Sequence, residues 1–239
     1  MSICTFGVNE AESLKECVKT IADECSLEDI HEILICTCTA TTAKCYDAIR
    51  EITALYPQIH IVPVQQPPEK PYWGGACRTL IDSASGTHIL CMSSDLECNP
   101  HLVSALIAAE KENPNGFCKA SRWLDSSVFD GYGFFRKAGN RLFQSYMNLL
   151  FHANLTDYTY CFQIGPTNIF RETHFHKNGK TVPIELIAEP ILRKLPIREL
   201  PIEWKKREEK PEKKRIQKDL NHLFWYILVS LKIRQNGHT

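Results

Sequence analysis

The sequence predicts an α/β fold in which a mostly parallel sheet carries helices on both faces. In residues 1–100, short apolar runs alternate with longer stretches whose apolar residues recur at helical spacing, a pattern typical of successive βα units. Acidic side chains directly follow one of the predicted buried strands. Hydrophobic residues at 44% and charged residues at 23% are ordinary globular values, which exclude a disordered, collagen-like or coiled-coil chain.

The first half of the chain contains four predicted strands, each followed by a helix. The strands cover residues 2–8, 32–38, 59–64 and 88–92, and the helices cover residues 11–25, 42–56, 76–85 and 101–111. Gly86 ends the third helix, and Asn99 with Pro100 marks the start of the fourth. A polar, proline-rich segment over residues 65–73 precedes Gly74 and Gly75.

The second half of the chain has a weaker pattern. We predict a strand over residues 116–122, a helix over 137–152, and further strands over 162–170 and 197–204. A highly charged run over residues 205–218 leads into an apolar tail. Without an internal repeat or a clear linker, we predict one domain over residues 1–215, followed by a C-terminal amphipathic helix and tail over residues 216–239.

Two carboxylates follow the strand predicted at residues 88–92. Asp95 and Glu97 lie two positions apart, so in an extended chain their side chains share one face. The carboxyl edge of a parallel sheet is where ligands bind in open α/β folds, and carboxylate oxygens suit Mg²⁺ or Mn²⁺. The pair therefore indicates a metal site, although a solvated strand end with a helix cap would give the same local pattern.

The segment from Trp73 through Gly74-Gly75 to Arg78, followed by Gly86, a strand and Ser-Ser-Asp-Leu-Glu-Cys-Asn-Pro, resembles the inverting family-two glycosyltransferases. The resemblance implies the GT-A fold, which is Rossmann-like, a nucleotide-sugar donor linked to UDP or GDP, and a divalent metal held by Asp95 and Glu97. Later landmarks resemble the branch of dolichyl-phosphate mannose synthase and the polyprenyl-phosphate sugar transferases. They are residues 5–10, 120–122, 136–137, 156–159, 184–186 and 199–204, with Gly165, Arg171 and Arg207.

The resemblance also implies which residues bind the donor. Candidates are Glu10, Thr37, Thr39, Gly74, Gly75, Ser93 and Arg207. The chain departs from the family pattern at two of these places. Ser93 stands where the family has an aspartate, and residues 36–42 contain no carboxylate where the family keeps acids for the nucleoside. Threonine hydroxyls could still bond a base or ribose, but such neutral contacts are weaker than charge-assisted ones.

In the resembling branch the acceptor is a lipid monophosphate, which is already a nucleophile and does not require a strong general base. Arg122, Arg136 and Arg141 are the candidates for binding the acceptor phosphate, because guanidinium groups form paired hydrogen bonds with phosphate. Candidates for catalysis are Asp95, Arg122, Asp157 and Glu185, the last two being possible bases if the acceptor is a saccharide or protein hydroxyl. A third hypothesis is a GT-A-like nucleotide-binding or partner subunit with weakened or lost catalysis.

The C-terminal tail has an apolar helical face, built from Leu220, Leu223, Phe224, Ile227, Leu228 and Leu231. This face would suit a membrane surface, the chain's own domain or a second copy in a homo-oligomer. The longest apolar run, residues 223–229, is far shorter than the roughly 20 residues of a membrane span. We therefore predict no span. The cysteines, most of which lie in apolar runs, predict a reduced, cytoplasmic protein, with the inner face of a membrane as a second possible location.

Net charge and cysteine content narrow the function further. Lysine plus arginine equal aspartate plus glutamate at 28 each, so no global field favours nucleic acid, and we predict no nucleic-acid partner. Eleven cysteines without a Cys-x-x-Cys pair predict free, mostly buried thiols. His174 and His176 alternate in a polar loop, where solvent exposure is a simpler interpretation than a metal site. The aromatic residues within 129–135 suggest an acceptor loop or core packing.

Overall fold

The computed structural model describes residues 1–124, 134–176, 179–202 and 215–236. The side chains of residues 134–136, 215–221 and 236 lie outside that description. Arg207, most of the charged run over residues 205–218 and most of the aromatic segment over residues 129–135 also fall outside the described residues.

The strands and helices alternate along the first half of the chain, as the sequence predicts. The strands are β1 (Ser2–Phe6), β2 (Glu32–Thr37), β3 (Ile61–Gln65), β4 (His88–Cys91), β5 (Phe117–Ser121), β6 (Gln163–Pro166) and β7 (Ile197–Pro201). The α-helices are α1 (Ala11–Glu24), α2 (Ala43–Leu55), α3 (Tyr72–Ser83), α4 (Val103–Glu112), α5 (Phe134–Phe151), α6 (Thr167–Arg171), α7 (Val182–Leu192) and α8 (Arg215–Asn236). Short 3₁₀ turns occupy Leu27–Asp29 and Pro100–Leu102.

The seven described strands form one sheet in the order β3-β2-β1-β4-β6-β5-β7. Strands β1 to β4 are mutually parallel where they pair, and β5 pairs in parallel with β7. Strand β6 runs antiparallel to both of its neighbours, β4 and β5. The predicted α/β fold with a mostly parallel sheet is therefore confirmed.

Apolar side chains on the two faces of the sheet belong to different clusters. One cluster joins the sheet to α1, α2 and α4 through residues such as Leu14, Ile52 and Leu106. The other joins it to α3, α6 and α7 through Leu80, Phe170 and Leu186. Alternate strand residues serve opposite faces, so the central strands are buried on both sides, and their carboxyl ends form an edge where a site can be built.

The main departures from the sequence prediction are two element boundaries and one additional helix. The strand predicted over residues 162–170 ends at Pro166, because proline has no amide hydrogen to continue the ladder, and α6 follows it. Helix α3 begins at Tyr72, so Gly74 and Gly75 lie within its first turn rather than before it. Helix α7 was not predicted because nearly all of its residues are apolar and buried, which removes the amphipathic pattern.

The C-terminal helix packs on its own chain. Val229 and Ile233 of α8 are buried against α5 and α7, in a third cluster that contains Met147 and Ile187. Other α8 residues stay partly exposed, among them Phe224 at 54% and Trp225 at 40%. No helix in the described part of the chain is long and apolar enough to cross a membrane.

The cysteines match the expectation of free thiols. All eleven are unpaired, and all but Cys25 and Cys38 are buried. Burial raises the pKa of the Cys98 thiol to about 11, so this side chain behaves as a small apolar group at neutral pH.

Candidate active site

A cavity of about 420 Å³ lies at the carboxyl ends of β1 and β4. The segments after these strands line it, together with α3, the residue after β5, residues 159–161, the start of α7 with the residues before it, and α8. Its lining among the described residues includes Phe6, Val8, Glu10, Trp73, Ser93, Asp95, Glu97, Arg122, Thr159, Tyr160, Lys180 and Tyr226. Both predicted metal-binding carboxylates therefore lie in one cavity, as expected for a ligand site at this edge of the sheet.

The segment that carries Asp95 has a fixed conformation. Ser93 Oγ donates to Asp95 Oδ1 at 2.5 Å, and the backbone amide of Glu97 donates to the same oxygen at 3.1 Å. Leu96 adopts a φ of 61°, a left-handed conformation that is strained for a leucine. Ser94 Oγ donates to the Phe6 carbonyl, which ties this turn to β1. Ser93 thus orients Asp95 instead of supplying a second carboxylate.

Glu97 lines the cavity, and its partial burial disfavours the ionised form of its carboxyl group. Burial raises the pKa of Glu97, although Arg122 and Lys180 act in the opposite direction. No described residue donates a hydrogen bond to the carboxylate, whereas Tyr160 Oη donates to the Glu97 carbonyl at 2.6 Å. A half-buried carboxylate without a donor is an oxygen ligand that a cation would stabilise.

Arg122 and Asp157 form a buried ion pair beside these carboxylates. Arg122 Nε and Nη2 donate to the two Asp157 oxygens at 2.7 and 3.0 Å, and Nη2 also donates to Thr159 Oγ1 at 2.8 Å. The guanidinium carbon lies 4.7 Å from the centre of the Tyr160 ring, a cation–π contact. Arg122 therefore reaches the cavity as a cation whose position is fixed by several groups.

Asp157 is fully buried and is held by more than Arg122. The backbone amide and the hydroxyl of Thr159 donate to Asp157 Oδ1 at 3.0 and 3.1 Å. Burial alone would raise the pKa of Asp157, but Arg122 and Lys119 outweigh it, and the pKa lies below its ordinary value. An acid of this kind stays ionised and is a weak proton acceptor.

Two further charged side chains bind the backbone of residues 156 and 157, next to the ion pair. Lys119 is fully buried, and its ammonium group donates to the Asp157 carbonyl. Burial lowers the pKa of Lys119 despite the opposing effect of Asp157 and Glu199. Glu199 accepts from the amides of Thr156 and Asp157 at 2.7 and 3.1 Å. The network fixes residues 156–159 where they meet the cavity.

Glu10 and an aromatic pair also line the cavity. Glu10 Oε2 accepts from the amides of Val8 and Asn9 at 3.0 and 2.7 Å, which shapes the loop after β1. Phe6 and Trp73 meet edge to face with ring centres 6.3 Å apart. Aromatic rings beside a carboxylate can bind a base and a ribose.

The remaining donor candidates that the structure describes do not line this cavity. Thr37 is buried and donates to Gln65 Oε1 at 3.2 Å, and Thr39 is exposed in the loop after β2. Gly74 and Gly75 are buried in the first turn of α3. A Cβ added to Gly75 would lie 1.8 Å from the Lys70 carbonyl oxygen, so the chain's own preceding loop explains this glycine.

Arg141 and Glu185, the other described acceptor and base candidates, do not line the cavity. Arg141 is exposed on α5, whereas the side chain of Arg136 and the whole of Arg207 lie outside the described residues. Glu185 is buried on α7, where it accepts from the His176 amide at 2.6 Å and from Thr181 Oγ1 at 3.2 Å. The roles predicted for these residues stay predictions.

Sequence reasoning missed three residues of the cavity. Lys180 and Tyr226 match no motif, and Tyr160 adjoins the 156–159 landmark without matching a pattern. Tyr226 lies on α8, so the C-terminal helix contributes to the cavity. A tyrosine next to a landmark was the one available signal. The other two positions depend on how distant segments fold together.

Comparisons with known proteins identify the family and the fold of this chain. The family model described as Glycosyl transferase family 2 matches residues 2–178. No curated protein matches the chain. Among solved structures, glucosyl-3-phosphoglycerate synthase from Mycobacterium tuberculosis in complex with UDP is 16% identical with a TM-score of 0.66, covering 98% of this chain and 79% of that one.

Two other structures of the same enzyme show a similar likeness. Its complex with Mn²⁺, UDP-glucose and phosphoglyceric acid has a TM-score of 0.64, and its complex with Mg²⁺ and UDP has one of 0.63. Both are 16% identical and cover 98% of this chain and 78% of theirs. At this identity the likeness shows a shared fold.

Proposed function

Because this chain belongs to glycosyl transferase family 2, we propose that it transfers a sugar from a nucleotide-sugar donor to a phosphate-bearing acceptor with inversion. The observation that carries the proposal is the shared cavity of Asp95, Glu97 and Arg122 at the carboxyl edge of the sheet. Carboxylates for a metal and a fixed cation are what the departure of a diphosphate requires, since both stabilise charge that develops as the sugar bond breaks.

A divalent cation fits the residues present. Asp95 and Glu97 are hard oxygen ligands at one cavity, and burial disfavours the ionised form of Glu97 unless a cation is near. No cluster of three potential metal-binding side chains occurs among the described residues, so oxygens of the donor and water would complete the coordination. Bound there, Mg²⁺ or Mn²⁺ would supply charge neutralisation at the leaving diphosphate.

The nucleoside half of the donor is proposed to lie against Phe6, Trp73 and Glu10. This aromatic and acidic wall takes the place of the acids that the chain lacks at residues 36–42, since Thr37 and Thr39 do not line the cavity. The solved neighbours bind UDP and UDP-glucose, which makes a uridine donor the first to test and a GDP-linked donor the second.

The acceptor is proposed to be a polyprenyl-phosphate-type lipid, as the resemblance implies. An acceptor phosphate oxygen would attack the anomeric carbon while the bond from that carbon to the donor diphosphate breaks, and the nucleoside diphosphate leaves with the electron pair. Arg122 and Lys180 are the cations in the cavity that would bind the phosphate. Helix α8 adds support, because it brings Tyr226 to the cavity and exposes Phe224 and Trp225 nearby in sequence.

An acceptor hydroxyl would instead require a general base. Asp157 is buried in the ion pair with Arg122, and Glu185 is buried against His176 and Thr181, so neither candidate lines the cavity. A phosphate acceptor, already ionised at neutral pH, needs no base. The arrangement of the two acids therefore favours a phosphate over a hydroxyl.

The test is a transfer assay with UDP- and GDP-sugars, Mn²⁺ and a polyprenyl phosphate in detergent, in which release of nucleoside diphosphate and formation of glycolipid are measured. We expect Asp95→Asn to lower the rate by at least about 100-fold, the size of effect seen when one electrostatic contact to the transition state is lost. Asp23→Asn is the matched control, because Asp23 is exposed and pairs with Lys19 on the surface.

Calorimetry with UDP and GDP separates the outcomes. Nucleotide binding without transfer to any acceptor would favour the binding-subunit hypothesis over the enzyme. Transfer to a saccharide but not to a lipid phosphate would overturn the proposed acceptor. Absence of both binding and transfer would overturn the whole proposal.

A further inference from the structure

A second cavity, of about 460 Å³, lies behind α3 and apart from the one described above. Helix α3, the end of α6 and residues 173–176 enclose it. Its volume is in the range of small-molecule sites. Arg78, Arg171, His174 and His176 line it together with apolar side chains that include Ile81 and Phe170.

The two guanidinium groups in this cavity are not neutralised by acids. Arg78 Nη2 donates to the Phe175 carbonyl at 2.7 Å, and its guanidinium lies 4.7 Å from the centre of the Phe175 ring. Arg171 Nη2 donates to the Ala84 carbonyl at 2.7 Å. Within the described part of the chain, neither arginine forms an ion pair with a carboxylate. Both keep donors and full charge for a ligand.

The remaining polar groups of the cavity also suit an anion. Asp82 is the one carboxylate among the described lining residues, and it is mostly exposed and paired with Lys70 Nζ at 2.7 Å. Thr173 is buried, and its hydroxyl has no hydrogen-bond partner among the described residues. A buried hydroxyl without a partner is costly, and a ligand oxygen would remove that cost.

We propose that this cavity binds a phosphate group, either free or as the monoester of a small molecule, between Arg78 and Arg171. Guanidinium groups bind phosphate through paired, charge-assisted hydrogen bonds. Ile81 and Phe170 give the cavity an apolar side that a carbon-containing ester would occupy and free phosphate would not. This site shares no described lining residue with the cavity of Asp95, Glu97 and Arg122, which we call the transfer cavity. The proposal therefore does not depend on whether the chain transfers a sugar.

Calorimetry of the full chain with inorganic phosphate and with phenyl phosphate tests the site, in EDTA and at constant ionic strength. We expect saturable binding that includes one site weakened at least tenfold by Arg78→Gln and by Arg171→Gln. Arg198→Gln is the matched control, because Arg198 is exposed and paired with Glu112 away from the cavity. Tighter binding of phenyl phosphate identifies a monoester as the ligand, and equal binding identifies free phosphate.

Two further variants keep the result interpretable. Thr173→Val removes a buried hydroxyl that has no partner among the described residues, so we expect a melting temperature that is not lowered and a phosphate affinity that is several-fold weaker, even if an arginine variant fails to fold. Asp95→Asn should leave phosphate binding intact. Binding that is absent, that is equal in all arginine variants, or that is lost in Asp95→Asn would overturn the proposal.

Discussion

The two cavities, both lined in part by α3, hold their arginines in different ways. In the transfer cavity, Arg122 is paired with the buried Asp157 through two hydrogen bonds. In the second cavity, Arg78 and Arg171 are held by backbone carbonyls. A carboxylate fixes an arginine and offsets part of its charge, whereas a carbonyl fixes it and leaves the whole charge available. The first arrangement suits a site that also contains a metal, and the second suits a site that attracts anions directly.

Helix α3 connects the two cavities. Trp73 in its first turn lines the transfer cavity, and Arg78 lines the second one. The segment that follows α6 does the same, with His176 in the second cavity and Lys180 in the first. Displacement of either segment would change both cavities. Variants of a single arginine should therefore affect one cavity, whereas variants that displace α3 should affect both.

The largest effect on stability is expected when Arg122 loses its partner, Asp157. Asp157→Asn removes the carboxylate that pairs with Arg122 and one of the two acids that act on the buried Lys119, and it should lower the free energy of unfolding by about 3–5 kcal/mol. Urea denaturation at pH 7 measures this loss. Asp47→Asn, which breaks an exposed pair with Arg50, is the control and should change stability by less than about 1 kcal/mol.

The pH dependence of the Asp157 effect has a defined sign. The pKa of Asp157 is lower in the folded protein than in the unfolded chain, because Arg122 and Lys119 outweigh burial. Its stabilising contribution is therefore complete above the unfolded pKa and is lost as pH falls through the folded pKa. The difference between wild type and Asp157→Asn should shrink in acid. A difference that stays constant with pH would show that the charge is not responsible.

A smaller effect is expected on the helix shared by both cavities. Gly75→Ala places a methyl group against the Lys70 carbonyl, and relief of that clash should cost about 1–3 kcal/mol and weaken ligand binding in both cavities. Gly139→Ala in α5 meets no atom within 4 Å and should stabilise the protein by about 0.5–1 kcal/mol. Thermal denaturation compares the two. Equal effects would mean that the loop before α3 yields easily.

The smallest effect is expected at Glu97. Burial raises the pKa of this carboxyl in the folded protein, so its contribution to stability is present below the unfolded pKa and is lost as pH rises through the folded pKa. Glu97→Gln should therefore stabilise the metal-free protein at pH 7, by less than about 1 kcal/mol, and should match wild type in stability at pH 3.5. Urea denaturation at both values checks this. Destabilisation at pH 7 would contradict the environment described for Glu97.

The βα order and the acidic edge could be predicted from the sequence, since they depend on local patterns. Apolar runs of strand length and amphipathic stretches follow one another through β4, and Asp95 and Glu97 come directly after it. Helix α7 could not be predicted, because burial on all sides leaves it without a polar face. The early start of α3 could not be predicted either, because it depends on the contact between Gly75 and Lys70.

By itself, the sequence determined the fold class, the family resemblance and the strand end that carries the carboxylates, because these follow from hydrophobic periodicity and short motifs. Only the tertiary structure decided that Arg122 is paired with Asp157, 35 residues away, that Lys180 and Tyr226 join the cavity, and that Arg78 and Arg171 share another. The physical reason is that an ionic group's role depends on its partners and its burial. Those are set by segments brought together in space, and spacing along the chain does not contain them.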